Sequence, residues 1–347
     1  MKVICPNCNK GYNIADGKVP KTTVKAKCKS CDQIMVIEPS GIVWADAPVT
    51  SPPPSGFEGA GVSAGHAVLM DYPELQSISP DRVMFEEILS PNKKGGYKSM
   101  RNKLKVKVLM AVSEVLDKAL NEGEKVMRIG KGTAYYPAEL FFGNGWLTMM
   151  YNHYAILATN QRLLFINVNS RMKRRTHYLF QILYEDIKKL KRGILGSMTF
   201  TREKSKRRVF TNVKRFMSKE LKSFIMERKE YAMEEPEEVL ENICPSCFVP
   251  LQKGLKVCPS CKAAFKEPKK ASLRSLLLPG LGDFYLGHRA LGIMELIGSL
   301  VIWSYALLLI LSGQKEGLFI GVFLLLFYNS MDGALTYFMA KKGYMLA

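Results

Sequence analysis

The chain has 347 residues, is 47% hydrophobic, and carries 50 Lys and Arg against 31 Asp and Glu, a formal charge of +19. That length exceeds what one hydrophobic core usually serves, which excludes a single globule in favour of several domains. The charge excludes an acidic surface and favours an anionic partner, lipid or nucleic acid.

The opening Met1-Lys2-Val3-Ile4-Cys5-Pro6 holds no apolar run long enough for a secretory signal, so the N-terminal part is expected in the cytoplasm. All eight cysteines fall in CxxC pairs, and in a reducing compartment paired cysteines bind metal more often than they form disulfides. The first quartet is Cys5-Pro6-Asn7-Cys8 and, nineteen residues on, Cys28-Lys29-Ser30-Cys31. Two residues between ligands let one tight turn aim both sulfurs at a single ion, and two such turns close a tetrahedron. Zinc is the preferred occupant of such a closed site, although iron in a rubredoxin-like site takes the same ligands. With these pairs, Tyr12, Ile14 and Ile34-Met35-Val36-Ile37, residues 1–39 resemble the short bacterial N-terminal zinc ribbons found ahead of regulatory or membrane proteins. The resemblance implies a small, metal-held β module.

Residues 40–65 turn to Pro, Ser, Gly and Ala, including Ser51-Pro52-Pro53-Pro54-Ser55-Gly56, and predict a flexible tether. A helical basic segment follows at 66–121. Within it Met100, Leu104, Val108, Val112, Val115, Leu116 and Leu120 recur at helical spacing, predicting one amphipathic helix over 99–120 that packs on its own domain or lies on an anionic membrane.

Residues 122–235 alternate as strands. Runs at 146–150, 153–158 and 162–168, the last two joined by Thr159-Asn160-Gln161, precede shorter ones at 178–184, 197–201 and 208–213 and a helix over 218–231. Gly123-Glu124, then Ala155 to Phe165 through Asn160-Gln161-Arg162, and Tyr184-Glu185-Asp186-Ile187 resemble a bacterial pleckstrin-homology-like domain. That resemblance implies an antiparallel β-barrel capped by a helix, used for interaction at membranes and not for catalysis. Basic clusters at Arg171, Lys173, Arg174 and Arg175, at Lys188, Lys189, Lys191 and Arg192, and at Arg207 and Arg208 are either solvated faces or contacts for acidic headgroups.

A second quartet, Cys244-Pro245-Ser246-Cys247 and Cys258-Pro259-Ser260-Cys261, lies within 242–266 and resembles the short zinc ribbons that sit beside transmembrane helices. Two zinc ions per chain are therefore expected. Residues 272–347 hold apolar runs at 291–311 and 317–340, each long enough to span the hydrocarbon layer, joined by a polar turn. Lys266, Lys269, Lys270, Arg274 and Arg289 before the first run, and Lys341 and Lys342 after the second, place both ends in the cytoplasm by the positive-inside rule. The stretch containing Gly280, Gly282, Asp283, Phe284, Tyr285 and Gly287 resembles the opening of the two-helix TM2 family, without a basic residue between Asp283 and Phe284. Asp332, inside the second run, calls for a partner such as Arg289, His288 or Asn329.

The fold class read from the sequence is thus multidomain α+β: zinc ribbons, a capped barrel and a transmembrane α-hairpin. The four histidines are scattered, no GxSxG, Walker or HExxH motif occurs, and metal sites claim every cysteine, so no enzyme is expected. The expected function is a membrane-anchored zinc-binding adaptor or sensor, multi-pass in a bacterial inner membrane, that presents a basic domain to protein partners or anionic lipid; small residues in its hairpin are compatible with a homo-oligomer, and the sequence leaves the oligomeric state open. The alternative is a membrane-tethered nucleic-acid-binding or regulatory protein.

Overall fold

The computed structural model describes residues 2–4, 11–13, 24–30, 34–37, 43–45, 64–142, 149–194, 196–203, 205–230 and 240–347. At the N-terminus β1 (Lys2–Ile4) pairs with β2 (Gly11–Asn13), and β3 (Val24–Lys27), β4 (Ile34–Ile37) and β5 (Val43–Ala45) form an antiparallel sheet. Val43 pairs with Ile37, so strand structure enters the stretch read as a tether.

Helices α1 (Ala64–Asp71), α2 (Phe85–Ile88) and α3 (Met100–Ala119) come next. Ser99 caps α3, its side chain accepting the Asn102 N–H, and the predicted helix is one residue shorter at each end. Its apolar stripe, including Val108, Leu109, Val112 and Leu116, packs in one buried cluster with Ile129, Leu157, Leu164 and Ile166 of the sheet. Even its Lys105 is inward, donating to Ile88 O at 2.6 Å and pairing with Glu220 at 2.7 Å.

The central sheet contains β6 (Val126–Tyr135), β7 (His153–Thr159), β8 (Arg162–Val168), β9 (Arg174–Leu183), β10 (Ile187–Arg192), β11 (Met198–Arg202) and β12 (Arg208–Thr211). Helix α4 (Pro137–Phe142) lies between β6 and β7, and α5 (Arg215–Glu230) follows β12. The strands run antiparallel in the order β10-β11-β12-β6-β7-β8-β9 and curl into a half-barrel. Its inner face is aromatic, with Phe165 stacked on Phe180 and Phe210 at centroid distances of 4.5 and 4.9 Å, and α5 adds Leu221 and Ile225. With α3 covering the other face, β8 is buried along its length, which is why Leu163 to Ile166 reads as an unbroken apolar run. Of the run read as a strand at 146–150, residues 146–148 lie outside the described residues. Met149 is helical and Met150 lies in the turn that follows, with Asn152 N–H on Met149 O at 3.1 Å.

Two buried ion networks pin the half-barrel. Glu124 takes two hydrogen bonds from Arg162, at 3.0 and 2.9 Å, and one from Thr159 Oγ1 at 2.7 Å, so the residues that carry the domain resemblance clasp the β7–β8 hairpin to the start of β6. In the second, Arg202 bridges Asp186 at 2.5 Å and Glu241 at 2.9 Å, and Arg208 also reaches Glu241. Burial alone would raise the Glu241 carboxyl, but Arg208 and Arg202 outweigh it and hold it below the usual glutamate range. A depressed carboxylate stabilises the fold above its unfolded-state pKa, and the contribution is lost as pH falls through the folded-state value. Glu241→Gln is therefore expected to destabilise most near neutral pH, the gap to wild type closing in acid. Thermal unfolding over a pH series checks this; a gap independent of pH would refute it.

The sheet does not stop at β9. The short strands β13 (Asn242–Ile243) and β14 (Pro250–Leu251) extend it, with Asn242 opposite Phe180 and Ile243 opposite Leu179. Beyond them lie α6 (Pro268–Leu277), α7 (Leu281–Leu286), α8 (Arg289–Leu311) and α9 (Lys315–Ala340). Helices α8 and α9 are long and apolar enough to cross a membrane; the 23 residues of α8 reach about 34 Å at 1.5 Å each. Leu308, Leu311 and Phe319 are 69–80% exposed, an apolar surface suited to lipid and unusual for a protein in water. The hairpin base is fused to the half-barrel: Ala271, Leu286, Leu291, Leu335 and Met339 share one buried cluster with Phe165, Phe180 and Phe210.

One of the charges counted for the positive-inside rule is buried. Lys342 pairs with Glu139 of α4, donates to Asn152 Oδ1 at 2.6 Å, and lies 4.8 Å over the Tyr136 ring. Burial lowers its ammonium pKa below the ordinary lysine value despite Glu139 beside it. The sequence places Lys342 at a helix end, where a basic residue normally meets headgroups; the fold turns it into the half-barrel because Glu139 and Asn152 wait there.

Candidate metal centre

The second cysteine quartet is assembled by two tight turns of the same design. Cys244 N–H donates to Val249 O at 2.9 Å and Cys244 O accepts Phe248 N–H at 3.0 Å; Cys258 does the same with Ala263 O and Lys262 N–H, at the same two distances. Phe248 (φ 62°) and Lys262 (φ 60°) hold the left-handed conformation that closes each turn, at roughly 1–2 kcal/mol for a residue with a Cβ.

Sulfurs at about 2.3 Å from a tetrahedral zinc ion lie roughly 3.8 Å from one another. Cys244 and Cys261 Sγ are 3.8 Å apart, Cys247 and Cys258 Sγ 3.7 Å, and all four fall within 4.8 Å of each other. The Ala263 N–H holds the exposed Cys261 thiol down at about 6, whereas burial pushes Cys244 up to about 12. A cation among them supplies what lets the buried sulfur lose its proton. The residues fit a closed four-thiolate ion site with no position for substrate, so the arrangement holds structure together and offers no open coordination site for chemistry.

Its place in the fold is what the sequence did not disclose. Cys244 directly follows β13, so one turn is an extension of the main sheet. The other is gripped by the chain after α9: Phe265 bridges Leu346, Lys266 N–H donates to Met345 O at 2.9 Å, Ala347 N–H to Ala264 O at 2.9 Å, and Tyr344 Oη to Gln252 O at 2.5 Å. Tyr344 also stacks on Phe265 with centroids 4.4 Å apart. The site therefore clasps the sheet edge to the chain that leaves α9 at the hairpin base. The apolar Tyr344-Met345-Leu346 after Lys342-Gly343 is the signal that could have suggested it.

Of the first quartet, Cys28 is buried with its sulfur 3.0 Å from Tyr12 Oη, and Cys5, Cys8 and Cys31 lie outside the described residues. The basic residues are dispersed. Lys188, Lys189, Lys191 and Arg192 are exposed on β10, the end strand of the sheet, where lysines also discourage edge-to-edge pairing. Arg171, Lys173 and Arg207 are exposed as well, and the side chains of Arg174 and Arg175 lie outside the described residues. Arg208 is a correction: it turns inward onto Glu241 and lies 5.1 Å over the Phe180 ring, because the sheet edge brings that carboxylate to it.

At the hairpin base Asp283 accepts from Thr336 Oγ1 at 3.0 Å and meets His288 Nδ1 at 3.1 Å. Asp332 is satisfied by the Gly280 N–H at 2.9 Å, not by the side chains suggested for it; Asn329 instead bonds Trp303 and Leu276 O. The carboxylates of Asp283, Glu295 and Asp332 come within 4.8 Å of one another. Gly280 (φ 86°) is required here, since a Cβ would stand 2.3 Å from Gly292 O. Phe284 is partly exposed, Gly287 (φ 86°) ends α7, and Tyr285 Oη accepts the Glu267 N–H at 3.2 Å beneath the Arg274 guanidinium.

Among known proteins, the family of zinc-ribbon domains matches residues 1–36. No curated protein and no solved structure matches the chain.

Proposed function

We propose that this chain is a non-catalytic, membrane-anchored zinc protein: an adaptor or sensor that holds a basic, pleckstrin-homology-like half-barrel against the cytoplasmic face of a bacterial inner membrane. The observation that carries the reading is the Cys244–Cys247–Cys258–Cys261 clasp, which joins the half-barrel's sheet to the chain emerging from α9. A rigid mount of this kind fixes how the domain faces the bilayer, a property an interaction module needs and a freely tethered one lacks. Both zinc ribbons act as structure, and the TM2-like hairpin is the anchor. Arg171, Lys173, Lys188, Lys189, Lys191, Arg192 and Arg207 supply the positive surface for acidic headgroups or an acidic protein partner.

The full chain reconstituted in phosphatidylcholine nanodiscs, offered anionic liposomes and duplex nucleic acid at equal charge, tests the reading. Preferential retention on the liposomes, falling steeply between about 0.05 and 0.2 M salt, is expected. Preferential retention on nucleic acid would replace it with a nucleic-acid-binding role.

A further inference from the structure

A cleft of about 700 Å³ opens between α3, β6 and the junction of β12 with α5. Its floor is apolar, formed by Val108, Val213 and Met217, all buried. Lys107 of α3, Lys131 of β6, and Lys214 and Arg215 at the start of α5 line it, so four cations converge from three elements. Among the described residues, its lining contains no aspartate or glutamate.

Some lysines elsewhere on this domain meet carboxylates: Lys98 with Asp71 at 3.9 Å, Lys105 with Glu220 at 2.7 Å, and Lys188 with Glu203 at 3.1 Å. Here like charges are held together. Half-buried Lys131 donates to Ser170 O at 3.4 Å, and burial, then Lys107 and Lys214, pull its ammonium below the ordinary lysine range. The repulsion is built into the fold by tertiary packing. Gly196 (φ 74°) lets the β10–β11 turn approach so closely that a Cβ would stand 2.3 Å from Val213 O, and Val213 N–H donates to Gly196 O at 2.9 Å. On the wall beside Lys131, Thr133 Oγ1 and His153 Nδ1 lie 2.9 Å apart and add polar groups.

We propose that this cleft binds a phosphate-bearing anion, with Lys107, Lys131, Lys214 and Arg215 supplying the charge and Thr133 and His153 hydrogen bonds. A compact dianion relieves the mutual repulsion of several cations at once, and its tetrahedral oxygens accept donors from several directions. The apolar floor accommodates whatever the phosphate is attached to. The inference goes beyond the adaptor reading and uses none of its surface clusters: Lys107, Lys131 and the Lys214-Arg215 pair are far apart in sequence, and only the fold gathers them. The phosphate can come from a soluble molecule or from a lipid headgroup.

The full chain reconstituted in phosphatidylcholine nanodiscs and titrated calorimetrically with pyrophosphate tests this. Saturable one-site binding is expected, weakened at least tenfold by Lys131→Gln and by Lys214→Gln and not by Lys118→Gln on exposed α3 surface. Unchanged metal content in the variants verifies folding. Repeating the titration in nanodiscs containing phosphatidic acid identifies the source: loss of pyrophosphate binding assigns the cleft to a headgroup, and its persistence assigns it to a soluble phosphate. Absence of saturable binding, or affinities within twofold of wild type in both lysine variants, would overturn the proposal without touching the metal clasp or the hairpin.

Discussion

Replacing Cys258 with serine is expected to remove one zinc ion per chain and to loosen two distant segments together, the β9 edge and the C-terminal tail. The site lies between them. One of its turns continues the main sheet through β13, and the other carries the backbone bonds to Met345 and Ala347. Residues 240–266 bury too little apolar surface to hold this shape alone; the ion supplies the stability, which in isolated zinc fingers reaches about 10–16 kcal/mol. Only part of that is lost from the whole protein, because the hairpin base has its own packing against the half-barrel. The variant should therefore stay membrane-inserted while amide exchange rises in β13, β14 and residues 344–347. Exchange confined to the turn around Cys258 would mean that the clasp joins nothing.

Lys342→Met is the second substitution with a large expected effect. It deletes the cation that meets Glu139, and both side chains are only 2% exposed. Removing one partner of a buried pair leaves the other charge without compensation, typically about 3–5 kcal/mol. Asn152 Oδ1 loses its donor as well, and with it goes the link between the end of α9 and the entry to β7. Pairing Lys342→Met with Glu139→Gln should recover much of the loss, since no buried charge then remains unmatched. The readout is the thermal midpoint of the purified chain in one detergent, across the four members of the cycle. A single variant within about 0.5 kcal/mol of wild type would show that the pair is not what holds α9 to the half-barrel.

The parts of the fold that follow one local rule were legible. The apolar stripe at helical spacing marked α3, the apolar runs on either side of Thr159-Asn160-Gln161 marked β7 and β8, and two long apolar stretches marked α8 and α9. Strand β6 was not identified, because Gly130 and Gly132 break its pattern. They are glycine since α5 and β12 press on that strand: a Cβ at Gly130 would stand 2.6 Å from Leu221 Cδ1, and one at Gly132 would stand 3.0 Å from Val213 Cγ2. The second quartet was plain from spacing, but its attachment was not, since two-residue strands and a short tail carry no periodicity. The inward turns of Arg208 and Lys342 were equally hidden, because their carboxylate partners Glu241 and Glu139 are far off in sequence and only the folded sheet places them alongside. The cationic cleft has the same origin, as Lys107, Lys131 and Lys214 come from separate elements.

The function proposed above rests on two thiolate-bound ions and on a half-barrel mounted at a membrane. Native mass spectrometry of the intact chain purified from membranes, combined with thiol counting after unfolding in chelator, measures that directly. Two zinc ions and eight reduced cysteines per chain are expected from the quartets. A metal-free chain at full mass, or cysteines joined to one another as disulfides, would contradict the account.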